Sequence, residues 1–489
     1  MDILVLILIM PFVFGLVMFL MPLHFKLLQV FHILFSVVLS SILLYAVSYV
    51  VRGHNLFAFH DFIFLDSLGA IFLSLIAITG LLVNIYATTY MKWELEEGHI
   101  SIKEIKNYFA LSLVFMGTMS LSVVCNNIAF MWAAIEATTL ASVFLVAVKK
   151  DKKSTESGYK YIVLCSIGLA FALYATILLY SAANGKVDGE AMLYTNLLAH
   201  AANLDTVALK LVFIFALIGF GTKAGLAPTH TWLPDVHAEG PAPTSALLSG
   251  VLLKCAMLGL IRYYAIIANG VGFDFVQMVM IVSGTLTLFI SAFFLIRQHN
   301  VKRMFAYHSI AHMGVIAFGL GVGGAIGLFA ALFHCAAHSF TKALAFCSTG
   351  NIARIYGTKD MTKMGGMIHI APLSAVLFGI AICSLVGVPG FAIFVSEFLI
   401  FKAAAIGEAY VLMAIFAVAL AIIFIADFSH FFLASFGKVE GEVVHNGEMK
   451  LSENMPLIAL AILIVIFGVW QFDSFTFLLD ESVKTIMKQ

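Results

Sequence analysis

The sequence predicts an all-α polytopic membrane protein of about 14 transmembrane helices, with an inverted five-helix repeat and broken helices 7 and 12. Three observations carry this expectation. Hydrophobic residues make up 62% of the 489-residue chain, charged residues only 11%, and mean hydropathy is +1.04, values beyond the soluble range. Apolar stretches of the length a bilayer demands, roughly 20 residues, recur along the whole chain. Two of them are too long for one crossing, and each is interrupted by glycine and proline.

The stretches fall near 2–21, 27–50, 67–90, 107–124, 128–148, 158–183, 207–238, 243–268, 273–297, 304–322, 325–352, 370–405, 408–436 and 455–473. The first follows Met-Asp with neither the basic n-region nor the small-residue cleavage site of a secretory signal, so it is expected to be retained. The seventh contains GTKAGLAP from Gly221, and the twelfth contains VGVPGF from Val386 followed by Glu397. The two breaks lie five spans apart. An odd number of helices per repeat reverses orientation, so 107–268 (spans four to eight) and 269–436 (spans nine to thirteen) are expected to be inverted copies. Helices one to three, 1–106, precede them, and a C-terminal loop with helix 14, 437–489, follows.

Lysine and arginine concentrate in the loops after odd-numbered spans, among them Lys149, Lys150, Lys152, Lys153, Arg297, Lys302 and Arg303. Those loops are therefore expected in the cytoplasm, with both termini on the outer side of a cell inner membrane. Net charge is zero and no basic block exists, which excludes nucleic-acid partners. All loops are short, leaving no room for a nucleotide or redox domain. The six cysteines lie in apolar runs without CxxC spacing, so no zinc or iron–sulfur site is encoded and no cofactor is expected.

What remains is a set of ionisable residues at bilayer depth, each a functional hypothesis by default. Glu136 lies in FMWAAIEATTLASVFLV and needs a cation or a proton; Lys160, opening the next span, is the nearest candidate partner, and equally a snorkelling lysine. Lys223 sits where Gly219, Gly221, Gly225 and Pro228 interrupt the seventh span, and Lys254 follows on the eighth. Irregular backbone at that depth survives only against protein or a water-filled cavity. Asp235 and His237, with Glu239, are placed near a helix end, where with His230 they are candidates for proton uptake or release. In the second half stand His308, His312, His334, His338, Lys342, Glu397 and Lys402. The four-residue spacing of His334, His338 and Lys342 puts them on one helix face, where they can relay a proton; Glu397 is expected to face a polar cavity opened by the VGVPG break, with Lys342 as its basic neighbour. Histidine pairs four apart also suit haem, provided a porphyrin-sized gap separates them.

IEATTL around Glu136, KYIVLCSIGLAFAL from Lys160, GFGTKAGLAPTHTWLPDVHAEGPAPTSALLSG from Gly219, KRMFAYHSIAHMG from Lys302, HCAAHSFTKALAFCSTGNI from His334 and VPGFAIFVSEF from Val388 resemble the antiporter-like subunits of complex I, Mrp antiporters and group 4 membrane-bound hydrogenases. The hydrogenase-4 component F type is the nearest branch. The resemblance implies 14 helices, an inverted repeat, and proton translocation driven by a partner redox arm, within a complex of further membrane subunits. It assigns Glu136, Lys160, Lys223, Lys254, His334, His338, Lys342 and Glu397 to the translocation path, and His230, Asp235, His237, His308, His312 and Lys402 to its margins. The subunit would itself perform no chemistry. Departures stand beside the likeness: HSIAHMG replaces the usual SSIEHMG, so His308 stands for serine and Ala311 for glutamate, and Lys254 stands where many members carry asparagine. The chain is also expected to lack the long lateral helix of the distal complex I subunit. Three readings stay open: a redox-driven proton pump, an Mrp-type sodium/proton antiporter subunit, and a haem- or quinone-binding oxidoreductase subunit.

Overall fold

The computed structural model describes residues 3–438, 441, 443–445 and 447–488. Met1, Asp2 and Gln489 are outside this set, so the expectation for the termini lies outside the described residues. In chain order the helices are α1 (Ile3–Leu20), α2 (Phe25–Val51), α3 (Ser67–Glu96), α4 (Ile102–Val124), α5 (Ile128–Val146), α6 (Lys152–Ala183), α7 (Tyr194–Ala199), α8 (Thr206–Ala224), α9 (Trp232–Glu239) and α10 (Ala242–Leu247). A π-helical turn, Leu248–Leu252, joins α10 to α11 (Leu253–Val271). Then come α12 (Phe273–Leu295), α13 (Val301–Val322), α14 (Gly324–Tyr356), α15 (Met367–Ile370), α16 (Pro372–Leu385), α17 (Ala392–Ile406), α18 (Tyr410–Phe436), α19 (Leu451–Val469) and α20 (Asp473–Met487).

Among the described residues, thirteen helices are long and apolar enough to cross a membrane, and α16 is a shorter apolar one. Large apolar side chains face outward along them, for example Leu20, Phe130, Val411 and Val469; only lipid makes such a surface cheap. The chain is thus a multi-pass integral membrane protein. Helix starts are set by local chemistry: Asn127, Asp151, Asp205 and Asn300 each accept a hydrogen bond from the first turn of the helix that follows, and Ser101 with Glu104 forms a reciprocal capping box on α4.

Both expected breaks are present. After α8 the chain turns at Gly225, φ +83°, and resumes helix only at Trp232; after α16 it turns at Gly387, φ +70°, and resumes at Ala392. These are left-handed conformations that glycine adopts without a Cβ penalty. The freed groups find partners, as irregular backbone in a bilayer must: the Trp232 indole donates to the Thr222 carbonyl at 2.8 Å, and the Ala227 amide donates to Thr287 Oγ1 at 3.0 Å.

Small residues set the helix spacing. A Cβ on Gly219 would lie 2.4 Å from the Ala172 backbone nitrogen, and one on Gly284 would lie 2.6 Å from that of Phe318. Close approach of this kind replaces the hydrophobic driving force that lipid abolishes. The span Ala242–Val271 is buried throughout its apolar window, and α14 packs against α13, α16, α17 and α19. Lys254 and the α14 histidines therefore sit on inner elements of the bundle.

A hairpin and a surface helix are among the elements outside the expected spans. Leu56–Ala58 and Ile63–Leu65 pair as a short antiparallel hairpin, and α20 is a surface helix that buries Leu478, Leu479, Val483 and Ile486 against α3 and α14. Its Asp480, Glu481 and Lys484 disqualify it as a span, and a 3.6-residue apolar stripe was its only signal.

Arg262 on α11 contacts Asp66 at 3.2 Å, with the two side chains 0% and 6% exposed; Asp66 also caps α3 through the Gly69 amide at 2.8 Å. The guanidinium lies 4.5 Å from the Tyr194 ring centroid, tying α11, α3 and α7 together. Breaking such a pair leaves a bare buried charge, at a cost of roughly 3–5 kcal/mol. Arg262→Met is expected to lower the thermal midpoint of the detergent-solubilised protein, whereas Arg262→Met with Asp66→Asn should recover most of the loss. Fluorescence-detected size-exclusion after heating measures both.

Candidate proton-translocation site

In the first half of the axis, Lys223 lies at the last turn of α8, fully buried. Its Nζ donates to Thr139 Oγ1 at 2.6 Å and to the Tyr161 hydroxyl at 2.7 Å, and sits 4.6 Å from the Tyr161 ring centroid. Tyr161 is hydrogen-bonded to Ser142 at 2.8 Å. Hydroxyls thus hold this amine, with no carboxylate in contact among the described residues.

Glu136, one turn before Thr139 on α5, accepts from Ser166 Oγ at 2.6 Å, while its other oxygen is buried without a hydrogen-bond partner among the described residues. The expected pairing with Lys160 is not made: Lys160 is half-exposed and binds Glu156 at 2.9 Å and Asp235 at 3.2 Å. The reason is helix phase, since Lys160 and Ser166 lie six residues apart on α6 and the serine holds the face toward Glu136.

Asp235 is clamped between Lys160 and Arg303, so it ties α9 to α6 and α13. His237, also on α9, is fully buried and stacked on Phe346 at 4.7 Å. His230 lies in the break, buried, with Nδ1 lacking a hydrogen-bond partner among the described residues.

Lys254 follows the π-helical turn, and its Nζ donates to the Ser249 carbonyl. An i→i+5 turn releases one carbonyl from the helical ladder, and here the lysine takes up a group of that turn. Ser249 Oγ meets Ser309 Oγ of α13 at 2.7 Å, which links the two halves.

Beyond it the histidines converge. His312 Nδ1 lies 2.9 Å from His334 Nε2, and His334 Nδ1 lies 2.8 Å from Ser396 Oγ on α17. The His312 ring is 4.6 Å from His308, 4.8 Å from His338 and 5.0 Å from His334, centroid to centroid. Rings this close leave no porphyrin-sized gap, which removes the geometric condition for haem.

His308 in turn touches Asp427 of α18, and both side chains are fully buried. Asp427 belongs to the axis although sequence reasoning passed it over. Its one available signal was a lone acid in the apolar run AIIFIADFSHFF.

Lys342 lies on the same face of α14 as His334 and His338, as its spacing requires, but its Nζ donates to the Phe305 carbonyl of α13 at 2.9 Å; it does not point at Glu397. Glu397 folds back over the second break: a Cβ on Gly387 would lie 2.1 Å from Glu397 Oε2, and Oε1 has no hydrogen-bond partner among the described residues. The adjoining cavity, about 430 Å³, is walled by Phe394, Phe398, Phe401, Leu420 and Phe424. The polar cavity expected beside the VGVPG break is therefore an apolar one, because α17 and α18 meet through their aromatic faces. Lys402 is exposed on α17, outside the buried run.

Residues 125–423 match the family described as NADH:quinone oxidoreductase/Mrp antiporter, TM. The chain is 36% identical over 347 residues to the Hydrogenase-4 component F homolog of Methylacidiphilum infernorum (isolate V4), covering 70% of this chain and 73% of that one. It is 27% identical over 345 residues to Hydrogenase-4 component B of Escherichia coli (strain K12), covering 68% of this chain and 49% of that protein, and so spans about half of that longer relative. In fold it is similar to a chain of the membrane-bound sulfane sulfur reductase, an archaeal respiratory membrane complex, with a TM-score of 0.85 at 22% identity over 99% of this chain and 98% of the other.

Proposed function

Since the chain belongs to the NADH:quinone oxidoreductase/Mrp antiporter membrane family, as an antiporter-like subunit, we propose that it moves protons across a cell inner membrane for a multi-subunit, redox-driven complex of the membrane-bound hydrogenase or complex I type. The observation that carries this reading is the run of ionisable side chains, half-buried at Glu136 and buried from Lys223 through Lys254 and the histidines to Glu397. Buried charges are expensive, and a chain that keeps this many uses them.

In this reading Glu136 biases charge on the uptake side, Lys223 is the switchable site, and Lys254 with His334, His338 and Lys342 conducts laterally. Glu397 releases the proton outward or to a neighbouring membrane subunit. Lys160 and Asp235, with Arg303, frame the first half and tune its field, while His230 and His237 adjoin the uptake route. Energy arrives electrostatically: shifting one buried charge moves its neighbour's proton affinity through a low-dielectric gap. The subunit needs no cofactor for this, and the inverted repeat of 107–268 and 269–436 supplies two alternating half-paths.

The family also contains Mrp antiporters, so sodium/proton exchange is the second reading. Proton uptake by sealed vesicles that is unchanged by sodium supports the pump; uptake that requires sodium supports the exchanger. Co-purification of a nickel–iron hydrogenase arm, a quinone-reducing arm or small Mrp-like subunits identifies the complex.

Orientation has its own test. In a background without native cysteines, a cysteine placed between Lys149 and Ser157 is expected to resist impermeant thiol reagents in intact cells, while one near the C-terminus should label. The reverse pattern contradicts the proposed topology.

A further inference from the structure

Asp427 is a buried acid that the path described above does not use. It sits on α18, most of whose surface faces outward, as Phe424, Ile425 and Phe432 do, yet its own side chain is fully enclosed and lies against His308. A carboxylate on such a helix is costly unless it is paired or protonated. His308, equally buried, supplies the other half of the contact.

We infer that Asp427 and His308 form a proton-binding dyad that loads the imidazole chain running from His308 through His312 and His334 to Ser396, next to Glu397. The inference rests on the transport reading above and adds a loading site to it. With the carboxylate ionised and the imidazole neutral, the dyad carries one negative charge. One arriving proton neutralises it, on whichever partner it settles.

The geometry continues from there. His308 to His312 is a ring contact of 4.6 Å, His312 to His334 a hydrogen bond of 2.9 Å, and His334 to Ser396 one of 2.8 Å. Each imidazole has two nitrogens, so it can accept a proton on one side and release it on the other. The titratable groups around the dyad are Lys342 on α14, Lys254 on α11, and the imidazoles of His312, His334 and His338. Hard cations such as sodium prefer oxygen ligands. Here the oxygens are Asp427 at one end and Ser396 at the other, with nitrogen between them, so the ligand is the proton.

The test compares Asp427→Asn, His308→Ser and the double variant in vesicles holding the assembled complex, with Lys223→Ala beside them. A buried pair that is merely structural is hurt by removing one partner and relieved by removing both; a proton site is lost in all three. The expected result is an assembled double variant whose proton uptake stays about a hundredfold or more below wild type, within the range of a deleted proton-transfer group. Wild-type uptake by the double variant, with uptake lost in Lys223→Ala, overturns the dyad and leaves the transport reading intact. Wild-type uptake by Lys223→Ala overturns the transport reading itself. Spectra of the unsubstituted protein labelled with 13C-aspartate and 15N-histidine keep the dyad testable if no variant assembles: a buried Asp or His signal that titrates supports it, and signals unchanged across the titration overturn it.

Discussion

Lys223→Ala is expected to abolish most proton uptake by the assembled complex while leaving assembly intact. The amine lies at a helix end already broken at Gly225, and its partners are the hydroxyls of Thr139 and Tyr161. The Tyr161 hydroxyl keeps an alternative bond when the lysine is gone, since it still meets Ser142 Oγ. No carboxylate in contact is stranded, so the large penalty of a half-deleted ion pair does not apply. The loss should be roughly hundredfold, the scale of removing a group that carries the proton. Affinity purification of the complex checks assembly, and dye-quench uptake in vesicles checks transport. Lys223→Arg should be nearly as inactive, because a guanidinium stays protonated at any working pH.

Glu397 gives the second large effect. Glu397→Gln keeps size and hydrogen-bonding capacity but cannot cycle a proton, so uptake should fall about tenfold or more with normal assembly. Glu397→Asp keeps the carboxyl but withdraws it by one methylene from Gly387 and from the Phe-walled cavity, and partial activity is expected. The same uptake assay separates them. Equal behaviour of the two variants means that the proton on this carboxyl is not what matters. Because Gly387 leaves no room for a Cβ beside Glu397 Oε2, the second break is itself part of how the carboxyl is held.

Much of this arrangement was legible in the sequence. Span lengths, both breaks, the burial of Lys223 and Lys254 and the shared face of His334, His338 and Lys342 all follow from short-range rules: bilayer thickness, glycine and proline, and 3.6-residue periodicity. What escaped depends on which helix meets which. Lys160 and Ser166 are both on α6, and only the rotation of α6 against α5 decides that Ser166 reaches Glu136. Lys342 has the right spacing for the axis, but its long side chain finds the Phe305 carbonyl. Asp427 lies 119 residues after His308 in an otherwise apolar run, and no local pattern announces their contact. The hairpin at 56–65 and α20 were missed for a different reason: they are too short or too polar for a search keyed to spans.

The central claim is that this chain carries protons by way of its buried ionisable residues. The most direct measurement is the number of protons moved per redox turnover by the assembled complex in sealed vesicles, for wild type and for Lys223→Ala combined with Glu397→Gln. The account predicts a lower ratio in the variant, by the share that this subunit contributes, with sodium making no difference. A ratio equal to wild type would contradict it, because protons would then be crossing elsewhere.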